Sequence, residues 1–171
     1  MGALQSEIGN ALAILIGKRL WACRRAADMA TFQFGTRSPT RDFYGRATEV
    51  GEHALHVQCA WRIVQGGDIT VGSKDLYYPA KYDDSQPLPP DFDWDHDPNR
   101  RDALLQDLFS DGQPELVVQK IEAGLAGSFR ITLGDDTALE VFPDDSLARE
   151  HWRLLSPTTE APHFVVSGKK P

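Results

Sequence analysis

From His53 to Val64 the chain alternates. Leu55, Val57, Cys59, Trp61 and Ile63 occupy successive odd positions, while His56, Gln58 and Arg62 fall between them. Successive side chains of an extended strand point to opposite faces of the pleat, so this period predicts a half-buried β-strand over 53–64 with an apolar inner face and a polar stripe outside. Such a strand needs neighbours for its backbone and a cover for its apolar face. The chain after it supplies the first neighbour. Gly66–Gly67–Asp68 is a hairpin signal, and a three-residue loop there sets Ile63 opposite Val71 and Trp61 opposite Ser73 and keeps both apolar sets on one face.

The remaining elements follow in order. Leu4, Ile8, Leu12 and Leu15 recur at helical spacing, with Ile16 beside them and Gly17 placed to end the turn, so residues 3–16 read as an amphipathic helix. Leu20 to Ala27 has no decisive period. Met29–Phe34 reads as a strand stopped by Gly35 and Ser38–Pro39, and Phe43–Gly51 as connecting chain with room for a short strand. Residues 80–97 are irregular and rich in Asp and Pro, with Phe92 and Trp94 available to pin them to the body. Asp97 and Pro98 look like the cap and first residue of a second helix, running to Phe109 with Leu104, Leu105, Leu108 and Phe109 turned inward. Then come five strand-like segments: Glu115–Ala123, Ser128–Leu133, Ala138–Phe142, His151–Leu155 and His163–Ser167. Short Gly-, Pro- and Asp-rich turns separate most of them, which implies antiparallel neighbours.

A faint repeat links the two parts. Phe32–Gln33–Phe34, Ala54–Leu55–His56–Val57 and Trp61–Arg62–Ile63 are echoed by Phe129–Arg130–Ile131, Ala138–Leu139–Glu140–Val141 and Trp152–Arg153–Leu154. The reading is a single α+β domain over residues 1–171: an antiparallel β-sheet, with a possible weak duplication of 28–79 in 115–167, covered by two helices.

A hydrophobic fraction of 41% and a charged fraction of 25% suit a globular chain with a core. The formal charge of −7 argues against nucleic acid or an anionic membrane as partner, since both reward basic patches, and makes a basic protein the natural electrostatic match. Neither a signal peptide nor a membrane-length apolar run is legible, and Cys23 and Cys59 make no disulfide framework. Met1–Gly2 with Ser6 fits the spacing for N-myristoylation but lacks a polybasic second signal. The expectation is a cytoplasmic protein needing no cofactor.

Three places could carry chemistry. Asp91, Asp93, Asp95, Asn99 and Asp102 fall at positions 1, 3, 5, 9 and 12 of a calcium-loop spacing, where alternate oxygens converge on one cation. His96 stands where the sharp turn prefers Gly, and Asp102 is one methylene short of the usual Glu. A Ca²⁺ site is therefore one expectation and a capped, solvated acidic loop the other. His56, Gln58 and Arg62, on the polar stripe, with Asp83, Asp84 and Asp91 of the acidic loop, are the candidate partner-binding residues. His56 is also the candidate general base if the protein is an enzyme. No phosphate-loop, dinucleotide or zinc-protease motif occurs.

The run ALHVQCAWRI with the following Asp75–Leu76, and the later FDWDHDPNRRD, resemble uncharacterised small α+β proteins of bacteria over most of the chain. The resemblance implies a fold and no activity. Small acidic α+β proteins of this general appearance include immunity proteins that neutralise toxins. Three readings follow, in order: a non-enzymatic cytoplasmic interaction protein, immunity-like, that binds a basic protein; a divalent-cation-binding domain; and an enzyme with its site near His56.

Overall fold

The computed structural model describes residues 2–169. The chain is α+β, and its antiparallel strands form two sheets. One sheet contains β1 (Arg19–Ala26), β2 (Met29–Arg41), β3 (Ala47–Val57), β6 (Leu116–Val117), β10 (Glu150–Leu155) and β11 (Phe164–Ser167), in the order β11-β10-β3-β2-β1-β6. The other contains β4 (Ala60–Gln65), β5 (Asp68–Gly72), β7 (Lys120–Ala123), β8 (Phe129–Thr132) and β9 (Thr137–Phe142), in the order β5-β4-β9-β8-β7. Helix α1 (Ala3–Leu12), continued by a 3-10 turn over Ala13–Leu15, lies against β7, where Gln5 donates to the Ala123 carbonyl at 2.7 Å. Helix α2 (Arg100–Leu108) lies against β1, β5 and a 3-10 turn over Ser73–Tyr77.

The alternating run from Leu55 to Ile63 is two strands in two sheets. Gln58 and Cys59 carry the chain from β3 to β4, and the alternation continues across the break because both strands turn their apolar faces to the same core. Leu55 and Val57 face it from one sheet, Trp61 and Ile63 from the other. Edge-to-face aromatic contacts cross it: Phe32 with Trp61 at 5.0 Å between centroids and Phe129 with Trp152 at 4.8 Å. Trp152 is fully buried, and its indole N–H donates to the Gly127 carbonyl at 2.8 Å. The expected strand over 115–123 divides in the same way. β6 pairs with β1, buried Val118 makes the crossing, and β7 joins the second sheet.

The pairing registers have a two-fold character. β4 pairs with β9 through Trp61–Val141, Arg62–Glu140 and Ile63–Leu139, and β10 pairs with β3 through Trp152–Val57, Arg153–His56 and Leu154–Leu55. Exchanging the two halves maps one set onto the other. The echo of Phe32 in Phe129 is two residues out of this register, because the partner of Leu55 is Phe32 whereas that of Leu139 is Ile131.

Local expectations fare unevenly. Ile63 does pair with Val71, by way of a two-residue Gly66–Gly67 turn and a bulge at Thr70. α2 begins two residues later than expected: Asn99 is the cap, accepting from the Asp102 amide at 2.9 Å, and Asp97 instead accepts from the Asp93 amide. β2 runs through Gly35 and Pro39, both read as stops, and β3 begins at Ala47. Gly35 is left-handed at a bulge between Phe34 and Arg37, while a Cβ on Gly51 would sit 2.6 Å from the Phe34 carbonyl oxygen, so glycine is required there. Pro39 is tolerated because beyond Phe34 the only strand beside β2 among the described residues is β3. The result is a two-stranded arm over 37–51, with Arg37 stacked on Trp21 at its base and Phe43 and Tyr44 at its exposed tip.

No helix among the described residues is long and apolar enough to cross a membrane. Trp152→Ala should lower unfolding free energy by about 3–5 kcal/mol, since it empties the centre of the interlayer core. Phe43→Ala, at a residue 97% exposed, should change it by less than about 0.5 kcal/mol. Urea denaturation of the two variants checks the pair.

Candidate functional site

The acidic segment is a closed loop on a rigid base. Pro79 and Asn99 form an antiparallel bridge, the Ala80 amide donates to Pro98, and the Arg100 amide donates to Tyr78. Trp94 packs edge-on against Tyr77 at 5.7 Å. Both ends are thus fixed, and the loop presents a preformed surface. In its first half the rings of Tyr78 and Tyr82 lie 5.0 Å apart. Together with Asp75, Asp83, Asp84 and Arg100 they line an open depression of about 560 Å³. Asp75 is engaged there, accepting from the Gly72 amide and pairing with Arg100 at 3.2 Å. Asp83 accepts from the Ser85 amide at 2.9 Å, a bond that holds its carboxyl below the usual carboxylate range. Asp83 and Asp84 make no ion pair among the described residues, and Tyr82 tethers the turn by donating to the Gln86 carbonyl.

In the second half of the loop the carboxylates are used internally. Arg25 on β1 donates through Nε to Asp102 and through Nη1 to Asp95, each at 2.9 Å. Asp93 binds the ring of His96 at 2.8 Å, a contact that lowers the carboxyl and raises the imidazole from their ordinary values. Asn99 is buried as the helix cap, and Asp91 is exposed. Among the described residues no group of three or more His, Cys, Asp or Glu side chains is arranged to share a metal ion. The spacing of Asp91, Asp93, Asp95, Asn99 and Asp102 therefore does not bring their oxygens to one point.

The polar stripe is divided between two surfaces. Arg62 lies on the outer face of the second sheet, where Glu140 accepts from both Arg62 and Arg130. Burial pushes the Glu140 carboxyl up, but the two arginines outweigh it and hold it below its usual value. His56 lies on the outer face of the first sheet opposite Arg153, which is bound by Glu150 and approaches His163 at 3.1 Å. Gln58 lies in the crossing between the sheets, its backbone amide donating to the His151 carbonyl at 2.8 Å. Burial, then the nearby Arg153 cation, pushes the His56 imidazole down, so it is neutral near pH 7.

Two features escaped sequence reasoning. Ser156, just past the end of β10, and buried His53 of β3 are 3.1 Å apart (Oγ to Nδ1), a hydroxyl–imidazole pair from residues far apart in the chain. Its neighbour Glu52 gives both carboxylate oxygens to Lys18, and lies 3.7 Å from the imidazole, too far to orient it. Burial pushes the thiols of Cys23 and Cys59 up to about 12, so neither is a ready nucleophile. The second feature is Arg101, buried at the start of α2. The spacing Arg101–Leu105–Leu108 was the available clue, because it puts the arginine on the helix's apolar stripe.

No family model matches the chain, and no curated protein or solved structure does so either.

Burial lowers the proton affinity of both His53 and His56. As pH falls through 6.5 the unfolded chain takes up protons that these histidines resist, so stability falls with pH in that window and levels off once the folded histidines protonate. His96, raised by Asp93, works in the opposite sense but is fully exposed and screened. The melting temperature should drop between about pH 7 and 5, and His53→Gln/His56→Gln should flatten that slope. Calorimetric melts across the range test this.

Proposed function

We propose that the protein is a non-catalytic binding protein whose loop depression takes a lysine or arginine side chain of a basic protein partner. The observation that supports the reading is the meeting of two tyrosine rings with Asp83 and Asp84 around one open depression. Aromatic faces attract a cation, and carboxylates outside the ion pairs of the described residues complete its charge. The bridge at Pro79–Asn99 holds the loop before binding, which reduces the ordering cost of association. The net charge of −7 steers a basic partner toward the surface. An immunity-type capture of a basic toxin is one form this function takes. Two free thiols fit a cytoplasmic setting.

The alternatives have less beneath them. A Ca²⁺-binding role must recruit carboxylates already committed to Arg25 and His96. An enzyme centred on His56 would use a neutral imidazole whose cross-strand neighbours are Arg153 and Thr31.

A fluorescein-labelled tetra-arginine peptide titrated by anisotropy tests the proposal. Wild type should bind it, more weakly as salt rises. Asp83→Asn/Asp84→Asn should weaken binding about tenfold, and Tyr82→Ala should weaken it severalfold through the lost ring. Asp135→Asn/Asp136→Asn, an acidic pair in a turn of the second sheet, should leave it within about twofold. Equal losses for both acidic pairs would reduce the effect to bulk charge and contradict the proposal.

A further inference from the structure

The arm over 37–51 is fixed at its base and ordered at its tip. At the base the Gln33 side-chain oxygen accepts from the Gly51 amide at 2.9 Å, and Arg24 donates to the Glu49 carbonyl. At the tip Asp42 accepts from the amides of Tyr44 and Arg46, each at 2.9 Å, and its own amide donates to the Arg46 carbonyl. These bonds close a turn around Phe43 and Tyr44, whose rings meet edge to face at 5.5 Å. Phe43 is 97% exposed and Tyr44 77%. Rings held out in water by an ordered turn form a prepared contact, because covering them buries apolar area at little cost in chain order.

The charges of the arm point to what covers it. Arg37, Arg41 and Arg46 stand against Asp42 and Glu49, an excess of one cation in a chain whose formal charge is −7. Arg37 lies 3.7 Å from Glu49, and Arg46 pairs with Asp42 at 2.7 Å. Arg41 is exposed and outside the ion pairs of the described residues, its Nη1 donating to the Gly45 carbonyl at 2.7 Å within the turn. The tip therefore offers two rings and one uncompensated cation. The loop depression offers the complement, Tyr78 and Tyr82 with the carboxylates of Asp83 and Asp84. With Phe43 almost wholly in water, the two sets are not joined within one copy.

We propose that they are joined between copies: the arm of one chain seats Arg41 at Asp83 and Asp84 of a second, with Phe43 and Tyr44 against Tyr78 and Tyr82. Arm and depression are different surfaces, so one such contact alone would propagate into a chain of molecules, whereas exchange of both arms about a two-fold axis closes a dimer. The second contact then forms within a pair already joined, at high effective concentration. This inference rests on the reading of the depression as a cation site and adds its regulation. The dimer masks the site, and a basic partner must displace the arm to reach it.

Sedimentation velocity over a concentration series tests this. Wild type should pass from monomer to dimer as concentration rises, and the tetra-arginine peptide should return it to monomer. Arg41→Ser/Phe43→Ser should weaken dimerisation about tenfold or more, and so should Asp83→Asn/Asp84→Asn. All four residues are exposed, so both variants keep the fold. A mixture of the two variants retains one intact arm and one intact depression, and should form a mixed dimer more readily than either variant associates alone. The arm variant should still bind the peptide at least as tightly as wild type, because its depression is unchanged and unmasked. A wild type that binds the peptide but stays monomeric at every concentration would overturn the arm exchange and leave the cation site standing. A dimer that survives both variants, or assembly beyond two copies, would also overturn it.

Discussion

The two sheets are held to one another by apolar side chains that meet edge to face. Phe32 reaches Trp61, and Phe129 reaches Trp152, each pair crossing from one sheet to the other. These contacts are available because the chain changes sheets at Gln58–Cys59 without losing its alternation, so that neighbouring residues enter one core from opposite sides. Sheet-on-sheet packing of this kind requires each inner face to be continuous, and the cross-strand pairs Trp61–Val141 and Trp152–Val57 make it so on both sides. The helices then close what the sheets leave open, α1 beside β7 and α2 beside β1 and β5.

The arm over 37–51 and the closed loop from Pro79 to Asn99 lie outside the registers that pair β4 with β9 and β10 with β3. The tyrosine-lined depression belongs to that loop, and Arg101 to the helix that follows it. The paired strands carry the packing on their inner faces and the Arg62–Glu140–Arg130 and Arg153–Glu150 ion pairs on their outer ones.

Period-2 alternation and turn residues made most of the strands legible, together with the antiparallel class. They left hidden which strands share a sheet, since an inward side chain has the same sequence signature whichever layer carries it; hence the single strand read over 53–64 and the undivided segment at 115–123. Gly35 and Pro39 were misleading for a related reason. Both are stop signals in a flat central strand, and β2 is neither flat nor central there, having a bulge at Gly35 and one neighbour beyond it. At the site, Asp83 and Asp84 were visible as charge, but their meeting with Tyr78 and Tyr82 depends on loop closure, which no local pattern announces. The calcium-like spacing was visible too, while the arginine that claims two of its carboxylates stands about seventy residues away in sequence on β1.

Amide hydrogen exchange under native conditions tests most directly the claim that one interlayer core holds the molecule. If it does, the paired amides of β3 from Ala54 to Val57, with those of β4, β9 and β10, should exchange only through global unfolding and share one free energy. The arm over 37–51 should exchange far faster, since beyond its own hairpin it has no further strand beside it. A distinctly lower free energy for β4 and β9 than for β3 and β10 would mean that the sheets open independently, and would contradict the account.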